Sequence, residues 1–348
     1  MSLADDAEQH DVLEENEALR KALRDTNRKL ATAKAKTVEL VDAVFRGAEA
    51  AALAVGRTAI PAPVRDRRKP RGETALLHLT DWQGGKSTPS YGLDVMDARV
   101  DRFMHQALKI TEIQRAHHPV RDAVLLFGGD LLEGVSIFPG QVWQVDSTLF
   151  EQVFRVAAKV EDVVRFALTH YERVHVVFEP GNHGRIGGKH DGIPHGDNFD
   201  RMIGEIVRQR LESEKRLTWE GRDSWSQQVV VGNYRAMLIH GDEVRGFGGN
   251  TPAYALVRKG NAWASGAAKF EFRDIYVGHY HQPMQLTLAN GGQLYMTGST
   301  ESDNAYAAEF VAATSVPSQR LHFNDPEKGR VTAQYVVWLD DVTSKDVA

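Results

Sequence analysis

The apolar run Ala123–Phe127, followed at once by Gly128, Gly129 and Asp130, constrains the fold more than any other stretch of the chain. A short run that is apolar throughout is typical of a strand buried on both faces of a parallel sheet. The glycines allow a sharp backbone turn where that strand ends. Asp130 is therefore expected at the carboxyl edge of a sheet, which is where open α/β folds build their sites.

Polar side chains follow the other predicted strands in the same way. Carboxylate and amide oxygens suit hard divalent cations, and borderline cations also accept imidazole. Oxygen and nitrogen donors spread over several loops suit two cations about 3.5–4 Å apart that share a carboxylate. In chain order, the five groups are Asp81-Trp82-Gln83, Gly129-Asp130, Gly181-Asn182-His183, His240-Gly241-Asp242 and Gly278-His279-Tyr280-His281.

The residue types in these groups limit the chemistry. The chain has no cysteine, which excludes thiolate ligands, disulfides and a cysteine nucleophile. His279 and His281 are two residues apart, so on an extended segment their imidazoles share a face and can reach neighbouring cations. His183 directly follows Asn182, which places it near the cations and leaves it able to move a proton.

The ordered set of motifs resembles the calcineurin-like metallophosphoesterases, whose signature runs Asp-x-His, Gly-Asp, Gly-Asn-His, His and Gly-His-x-His. The resemblance covers about residues 74 to 300 and includes all five motifs in family order. It implies the fold of that family, a four-layer α/β/β/α sandwich, and a proton-donating role for His183. The implied ligands are Asp81, Asp130 and His281 for one cation, and Asp130, Asn182, His240 and His279 for the other, with Asp130 shared.

Gln83 and Arg185 are the two candidates with a clear alternative role. Gln83 stands where the family has histidine, and its oxygen is a weaker ligand than imidazole. This favours Mn²⁺ over Zn²⁺, with Mg²⁺ and Fe²⁺ as further alternatives, and a non-ligating Gln83 is the other interpretation. Arg185, in Gly-Asn-His-Gly-Arg, is a candidate to clamp a substrate phosphate, and a solvated loop arginine is the alternative.

Together the motifs predict a two-metal phosphoesterase that activates a water molecule between its cations to attack phosphorus. The chain is similar to the repair-nuclease branch of the family and to phosphoesterases that bacterial viruses encode beside replication genes. The segments 181–185, 240–242 and 315–319 are the parts that resemble the viral group. A DNA-directed nuclease is therefore the leading hypothesis for the substrate class. One alternative is a phosphatase or phosphodiesterase that acts on a phosphoprotein or a small nucleotide. The other is a binding scaffold of the same fold that has lost catalysis.

An aromatic loop, Phe138 to Trp143, follows the Asp130 motif. Tryptophan side chains are highly buried on average, so a packed Trp143 is the expectation. Lining of a substrate channel is the alternative.

Residues 1 to 60 differ in character from the rest of the chain. Apolar or small residues recur there at heptad-like spacing, with Leu19, Leu23 and Leu30 among them. The spacing predicts one long helix, and a coiled coil that pairs two chains as a homodimer is one interpretation of it. A single helix packed on its own domain, or frayed, is the alternative. Prolines and a basic run then predict a linker over residues 61 to 73.

The remaining region, residues 74 to 340, is predicted to form one α/β domain. Strands and helices alternate up to residue 214 and strands dominate after it, which suggests two sheets packed together with helices outside. The predicted helices cover residues 95–117, 149–171 and 199–214.

The charge and hydrophobicity of the chain limit its partners. The net charge of −5 gives no general basic field, so DNA would have to be held by local basic patches or by bound cations. No apolar run approaches the ~20 residues that span a bilayer, and the N-terminus is charged from Asp5 onward. These features predict a cytoplasmic protein with neither a membrane segment nor a secretory signal.

Overall fold

The computed structural model describes residues 20–26, 28–29, 43, 46–47, 59–68, 72–137, 140–187, 195–244, 252–303 and 316–347. The chain divides into two compact units, Met1–Gly56 and Arg57–Ala348. The described residues of the first unit are helical, and most of the predicted coiled coil lies outside them. Pairing of two chains through that helix stays a prediction. The second unit contains every predicted site residue.

Eleven strands and four α-helices make up the described part of the second unit. The strands are β1 (Glu73–Leu79), β2 (Val120–Phe127), β3 (Arg173–Phe178), β4 (Leu217–Glu220), β5 (Gln227–Val231), β6 (Tyr234–Ile239), β7 (Asp274–Val277), β8 (Met284–Thr287), β9 (Gln293–Met296), β10 (Ser318–Asp325) and β11 (Arg330–Trp338). The helices are α1 (Leu93–Arg115), α2 (Leu149–His170), α3 (Phe199–Arg210) and α4 (Ala253–Ala262).

The strands form two mixed sheets. The first has the order β11-β10-β1-β2-β3-β4, and the second has the order β5-β6-β7-β9-β8. In the first sheet β1 to β4 are parallel, whereas β10 runs antiparallel to β1, and β11 antiparallel to β10. In the second sheet β6, β7 and β9 are parallel, and the two edge strands are antiparallel to their neighbours.

The two sheets pack face to face, and their side chains alternate between this interface and the outside. Leu76 of β1 and Leu126 of β2 join Leu238 and Tyr276 of the second sheet in one buried cluster. On the other face of the first sheet, α1 and α2 contact β2 and β3, with α3 beside α2. Leu256 of α4 packs on the outer face of the second sheet. The layers therefore follow the predicted order α/β/β/α.

The three predicted helices are present, and the largest shift is at the end of α3, which stops at Arg210 rather than at residue 214. Two strands, β4 and β10, are absent from the sequence prediction. The sequence pattern does not predict β10, because most of the buried side chains of this strand are polar, including Gln319 and His322. In the part of the chain that the structure describes, no helix is long and apolar enough to cross a membrane.

Candidate metal centre

The predicted site residues lie at one edge of the molecule, where parallel strands of both sheets end. Parallel strands bring their carboxyl ends to the same edge of a sheet, which is why residues remote in the chain meet there. Asp81 follows β1, Asp130 follows β2, Asn182 follows β3, His240 follows β6, and His279 and His281 follow β7.

Asp130 is the centre of the first half of the site. Its Oδ2 lies 3.0 Å from Nε2 of His240, and that nitrogen lies 3.1 Å from Oδ1 of Asn182. The ligand atoms of Asp130, His240 and His279 all lie within 4.8 Å of one another. Nδ1 of His240 lies 2.8 Å from the carbonyl oxygen of Gly128, which fixes Nε2 towards the site. Oxygen and imidazole donors this close can hold one cation.

Asp81 is the centre of the second half. Nε2 of His281 lies 3.3 Å from Oδ1 of Asp81 and 3.3 Å from Nε2 of Gln83. The backbone N–H of His279 donates to both oxygens of Asp81, at 3.0 and 2.9 Å, and so joins the two halves. Oε1 of Gln83 is buried and has no hydrogen-bond partner among the described residues. A buried oxygen of this kind fits the role of a cation ligand.

The ligand loops turn through left-handed backbone conformations. Asp81, Gln83 and Asp130 have φ angles of 53°, 49° and 50°, and His279 and His281 have φ angles of 66° and 56°. Only one other non-glycine residue in the described ranges has a positive φ. Such conformations are uncommon outside glycine and persist where surrounding contacts hold them. Strained backbone is thus concentrated in the predicted ligand set.

Two glycines let neighbouring loops approach the carboxylates closely. A Cβ atom on Gly181 would lie 2.1 Å from the backbone nitrogen and from Oδ1 of Asp130. A Cβ atom on Gly278 would lie 2.5 Å from Oδ2 of Asp81. A side chain at either position would have to displace a predicted ligand.

His183 is fixed beside Asp130 by both its backbone and its ring. Its N–H donates to Oδ1 of Asp130 at 2.7 Å. Its Nδ1 lies 2.8 Å from the carbonyl oxygen of Glu133 and 3.3 Å from Oε2 of the same residue, and its Nε2 lies 4.0 Å from Oδ2 of Asp130. Burial opposes charge on the ring, but Asp130 and Glu133 raise the pKa of His183 to about 9. A protonated imidazole is thus held at the centre, where it can act as an acid.

The carboxylates of the predicted ligand set raise the pKa of two ligand histidines beside them, His240 and His281. Burial opposes charge on His240, but Asp130 raises the pKa of this imidazole well above its ordinary value. Burial likewise opposes charge on His281, but Glu301 and Asp81 raise its pKa to about 10. Carboxylates that keep neighbouring imidazoles protonated to this extent concentrate negative charge at the site. Two divalent cations would neutralise that charge.

Three buried charged residues that the sequence interpretation missed support the site. Nζ of Lys86 lies 3.6 Å from Oε1 of Glu133 and 3.4 Å from Oε2 of Glu301. Glu133 holds His183, and Oε1 of Glu301 lies 2.9 Å from Nδ1 of His281. The lysine therefore balances two carboxylates that orient site histidines. Glu301 comes after β9, just as each predicted ligand comes after its own strand. This position at a strand end could have identified Glu301 from the sequence.

Asp200, at the start of α3, ties two site loops together. Its Oδ1 accepts from the N–H of Leu131 at 3.1 Å, and its Oδ2 accepts from the N–H of Gly181 at 2.9 Å. Asn198, the N-cap of α3, donates from its amide to the carbonyl oxygen of Gly181 at 2.7 Å. Burial and the nearby Asp130 raise the pKa of Asp200 to about 6. Nothing local in the sequence marks these two residues as supports.

Arg185 and Trp143 have surroundings that the sequence did not reveal. Nη2 of Arg185 lies 2.7 Å from Oδ2 of Asp242, so its guanidinium is paired rather than solvated, and its phosphate-binding role stays a prediction. Trp143 is 87% exposed, and the expectation of a packed tryptophan is wrong. The buried position in this loop belongs to Gln141 instead. Phe138, in the same loop, lies outside the described residues.

Comparison with known proteins gives distant likenesses. No family model matches the chain, and no curated protein matches it. Among solved structures, Vps29 from Entamoeba histolytica, in complex with zinc, is 13% identical with a TM-score of 0.31, over 76% of this chain and 99% of that chain. A Streptococcus pneumoniae protein described as a predicted phosphoesterase is 11% identical with a TM-score of 0.30, over 77% and 100%. Phosphopantetheinyl hydrolase from Mycobacterium tuberculosis is 11% identical with a TM-score of 0.30, over 66% and 91%.

Proposed function

We propose that this protein is a phosphoesterase that depends on two divalent cations. The observation that carries the proposal is that carboxylate, amide and imidazole groups from five strand ends meet in one cluster. Asp81, Asp130 and His240 are buried there, and Asn182, His279 and His281 are half-buried. Buried charge and strained backbone concentrated in this way are typical of functional sites rather than of packing. The residues that would hold the cations, with Mn²⁺ as the preferred ion, are Asp81, Gln83, Asp130, Asn182, His240, His279 and His281.

The bound cations would polarise the phosphate ester and lower the pKa of a water molecule. His183 is the proposed proton donor to the leaving oxygen, because Glu133 holds its Nδ1 and leaves Nε2 beside Asp130. Proton donation of this kind typically contributes about 10²–10⁴-fold to the rate. Arg185 is the proposed contact for the remaining phosphate oxygens, and it would share its guanidinium between the substrate and Asp242.

Within this class we propose a DNA-directed nuclease. The motif resemblance favours it over a phosphatase or phosphodiesterase that acts on small nucleotides or phosphoproteins. The net charge of −5 means that the cations and a few local groups, rather than a broad basic surface, would attract the phosphate backbone. A catalytically inactive scaffold is disfavoured, because taking charged side chains out of water is costly. A scaffold that binds no cations would gain nothing from so complete a set of cation ligands.

The test uses the full-length protein, stripped of metal with a chelator and reloaded with Mn²⁺. We expect about two Mn²⁺ ions per chain and hydrolysis of both bis-p-nitrophenyl phosphate and labelled DNA. His183→Ala should lower kcat by about 10²–10⁴-fold while the metal content stays near that of the wild type. Asp130→Asn should lower both quantities, because it removes the carboxylate that the two cations would share.

A comparison of single-stranded DNA, duplex DNA, cyclic nucleotides and phosphopeptides separates the substrate classes. His118→Ala is the matched control, because His118 is exposed and lies before β2, at the strand end opposite Asp130. Absence of hydrolysis of all these substrates by the Mn²⁺-loaded protein would contradict the proposal. Equal loss of metal and turnover in His183→Ala would make that histidine structural instead.

A further inference from the structure

Trp143 is 87% exposed although its loop is bound closely to the candidate centre. It ends a short 3₁₀ helix, Gln141–Trp143, whose first residue is fully buried. An exposed indole is a large apolar surface in water, and covering it with a flat ligand is favourable. The surroundings of Trp143 indicate which ligand.

Gln141 anchors this helix to the proposed proton donor. Its Nε2 donates to the carbonyl oxygen of Glu133 at 2.8 Å and lies 3.3 Å from Nδ1 of His183. Its Oε1 accepts from the N–H of Ile137 at 2.8 Å. A 3₁₀ helix rises about 2.0 Å per residue, so the Cα atom of Trp143 lies about 4 Å along the axis from that of Gln141. Trp143 therefore stands on the rim of the centre.

The backbone after Trp143 is fixed to the loop that follows β1, which carries the second half of the centre. The N–H of Ser87 donates to the carbonyl oxygen of Gln144 at 2.8 Å. The N–H of Asp146 donates to the carbonyl oxygen of Gly85 at 2.9 Å. The backbone that carries the exposed indole is thus fixed between the supports of both halves of the centre, so little of it has to be ordered when a ligand binds.

We propose that Trp143 is a stacking platform for a nucleobase next to the scissile phosphodiester bond. The inference rests on the proposed nuclease function and adds a base subsite to it. Stacking on an aromatic ring tolerates any sequence, because every base has a π face. Stacking would also add affinity for the strand. A chain with a net charge of −5 has no general excess of basic groups to attract the phosphates.

The test measures KM with the full-length, Mn²⁺-loaded protein on two single-stranded oligonucleotides of equal length. One carries bases throughout, and the other has abasic residues on both sides of the cleaved bond. Trp143→Ala should raise KM for the base-bearing substrate by about 5- to 150-fold and leave KM for the abasic substrate unchanged. Trp143→Phe should keep most of the wild-type affinity, because a phenyl ring still stacks. Trp338→Ala, at a tryptophan of β11 that is 50% exposed, is the matched control and should change neither value.

An unchanged KM for the base-bearing substrate in Trp143→Ala would overturn the base subsite and leave the nuclease function standing. An equal rise for the abasic substrate would also overturn the subsite, because the contact would then not involve a base. A wild-type protein that cleaves neither oligonucleotide would instead remove the nuclease function, and the subsite with it. Thermal unfolding midpoints check that each variant is folded. If Trp143→Ala is not, Trp143→Leu takes its place, because leucine keeps an apolar side chain but has no ring on which a base can stack.

Discussion

Single residues in the candidate centre combine strained backbone with close polar contacts. A left-handed conformation costs a non-glycine residue about 1–2 kcal/mol, and Asp81, Asp130 and His281 all adopt it. Hydrogen bonds hold these turns, such as the one from the N–H of Asp81 to the carbonyl oxygen of Gly129 at 2.9 Å. Cations that bind the folded chain but not the unfolded chain would stabilise these left-handed conformations further.

Gly181→Ala is expected to weaken metal binding. The added Cβ atom would lie 2.1 Å from Oδ1 and the backbone nitrogen of Asp130, so the carboxylate has to move. We expect a loss of Mn²⁺ affinity of at least about 10- to 100-fold, with stability lowered by about 1–3 kcal/mol. Gly221→Ala is the control, because its Cβ atom would approach no atom closer than 3.5 Å. Isothermal titration with Mn²⁺ measures the difference, and wild-type affinity in Gly181→Ala would show that Asp130 is not a ligand.

Mn²⁺ binding is expected to release about two protons per chain at pH 7.5. Burial opposes charge on both His240 and His281, but neighbouring carboxylates raise the pKa of His240 well above its ordinary value and that of His281 to about 10. A cation has to displace both protons. His279 releases none, because burial and His240 lower its pKa to about 4. The affinity for Mn²⁺ should therefore rise with pH between about 6 and 9.

Calorimetric titrations in buffers of different ionisation enthalpy count these protons. His281→Asn should release about one proton fewer than the wild type. Binding without proton release, or an affinity that does not change over this pH range, would place the cations away from these histidines.

The strands explain how much of the fold and site the sequence could predict. Ala123–Phe127 is apolar throughout, and Val174–Phe178 is apolar except for the half-buried His175, because both runs lie in the interior of the first sheet. Their pattern identifies the strands, and their ends locate Asp130 and Asn182. Prediction succeeds here because strand, turn glycine and polar donor are neighbours in the chain.

Elements that are held by remote partners could not be predicted in this way. Gln319 of β10 accepts from the N–H of Thr80 at 2.9 Å and donates to the carbonyl oxygen of Gly298 at 2.7 Å, so a polar strand is buried by loops from elsewhere. Lys86 likewise meets Glu301 only in the folded protein. No local pattern distinguishes Gln319 and Lys86 from solvated side chains.

Over the whole molecule, the interface between the sheets contains buried polar groups as well as apolar ones. His78 of β1 and His322 of β10 are both fully buried there, and the hydroxyl of Tyr276 lies 3.1 Å from Nδ1 of His322. Burial and the nearby Arg320 lower the pKa of His78 to about 3 and that of His322 well below its ordinary value. Both histidines are therefore neutral in the folded protein at neutral pH.

The two buried histidines should make the folded protein less stable as the pH falls below about 6.5. There the unfolded chain takes up a proton on each histidine, whereas folded His78 stays neutral down to a pH of about 3. The free energy of unfolding then falls by up to about 1.4 kcal/mol per pH unit for each histidine. Urea unfolding of the chelator-treated protein between pH 7 and 4 measures this slope. His78→Leu should reduce it by about 1.4 kcal/mol per pH unit, whereas the exposed control His117→Gln should not. Equal slopes in the wild type and His78→Leu would mean that His78 becomes charged in the folded state.

The place of β10 beside β1 has a consequence for the timing of synthesis. Every predicted ligand precedes residue 282, yet β1, which leads to Asp81, has β10 as its neighbour on one side. A growing chain that has not reached Ser318 therefore contains all the donors but leaves an open edge on β1. Thr80 then also lacks its partner Gln319. An emerging polypeptide of this kind carries every predicted ligand without the complete first sheet, so the candidate centre reaches its full set of supports only when translation of the second unit is almost finished.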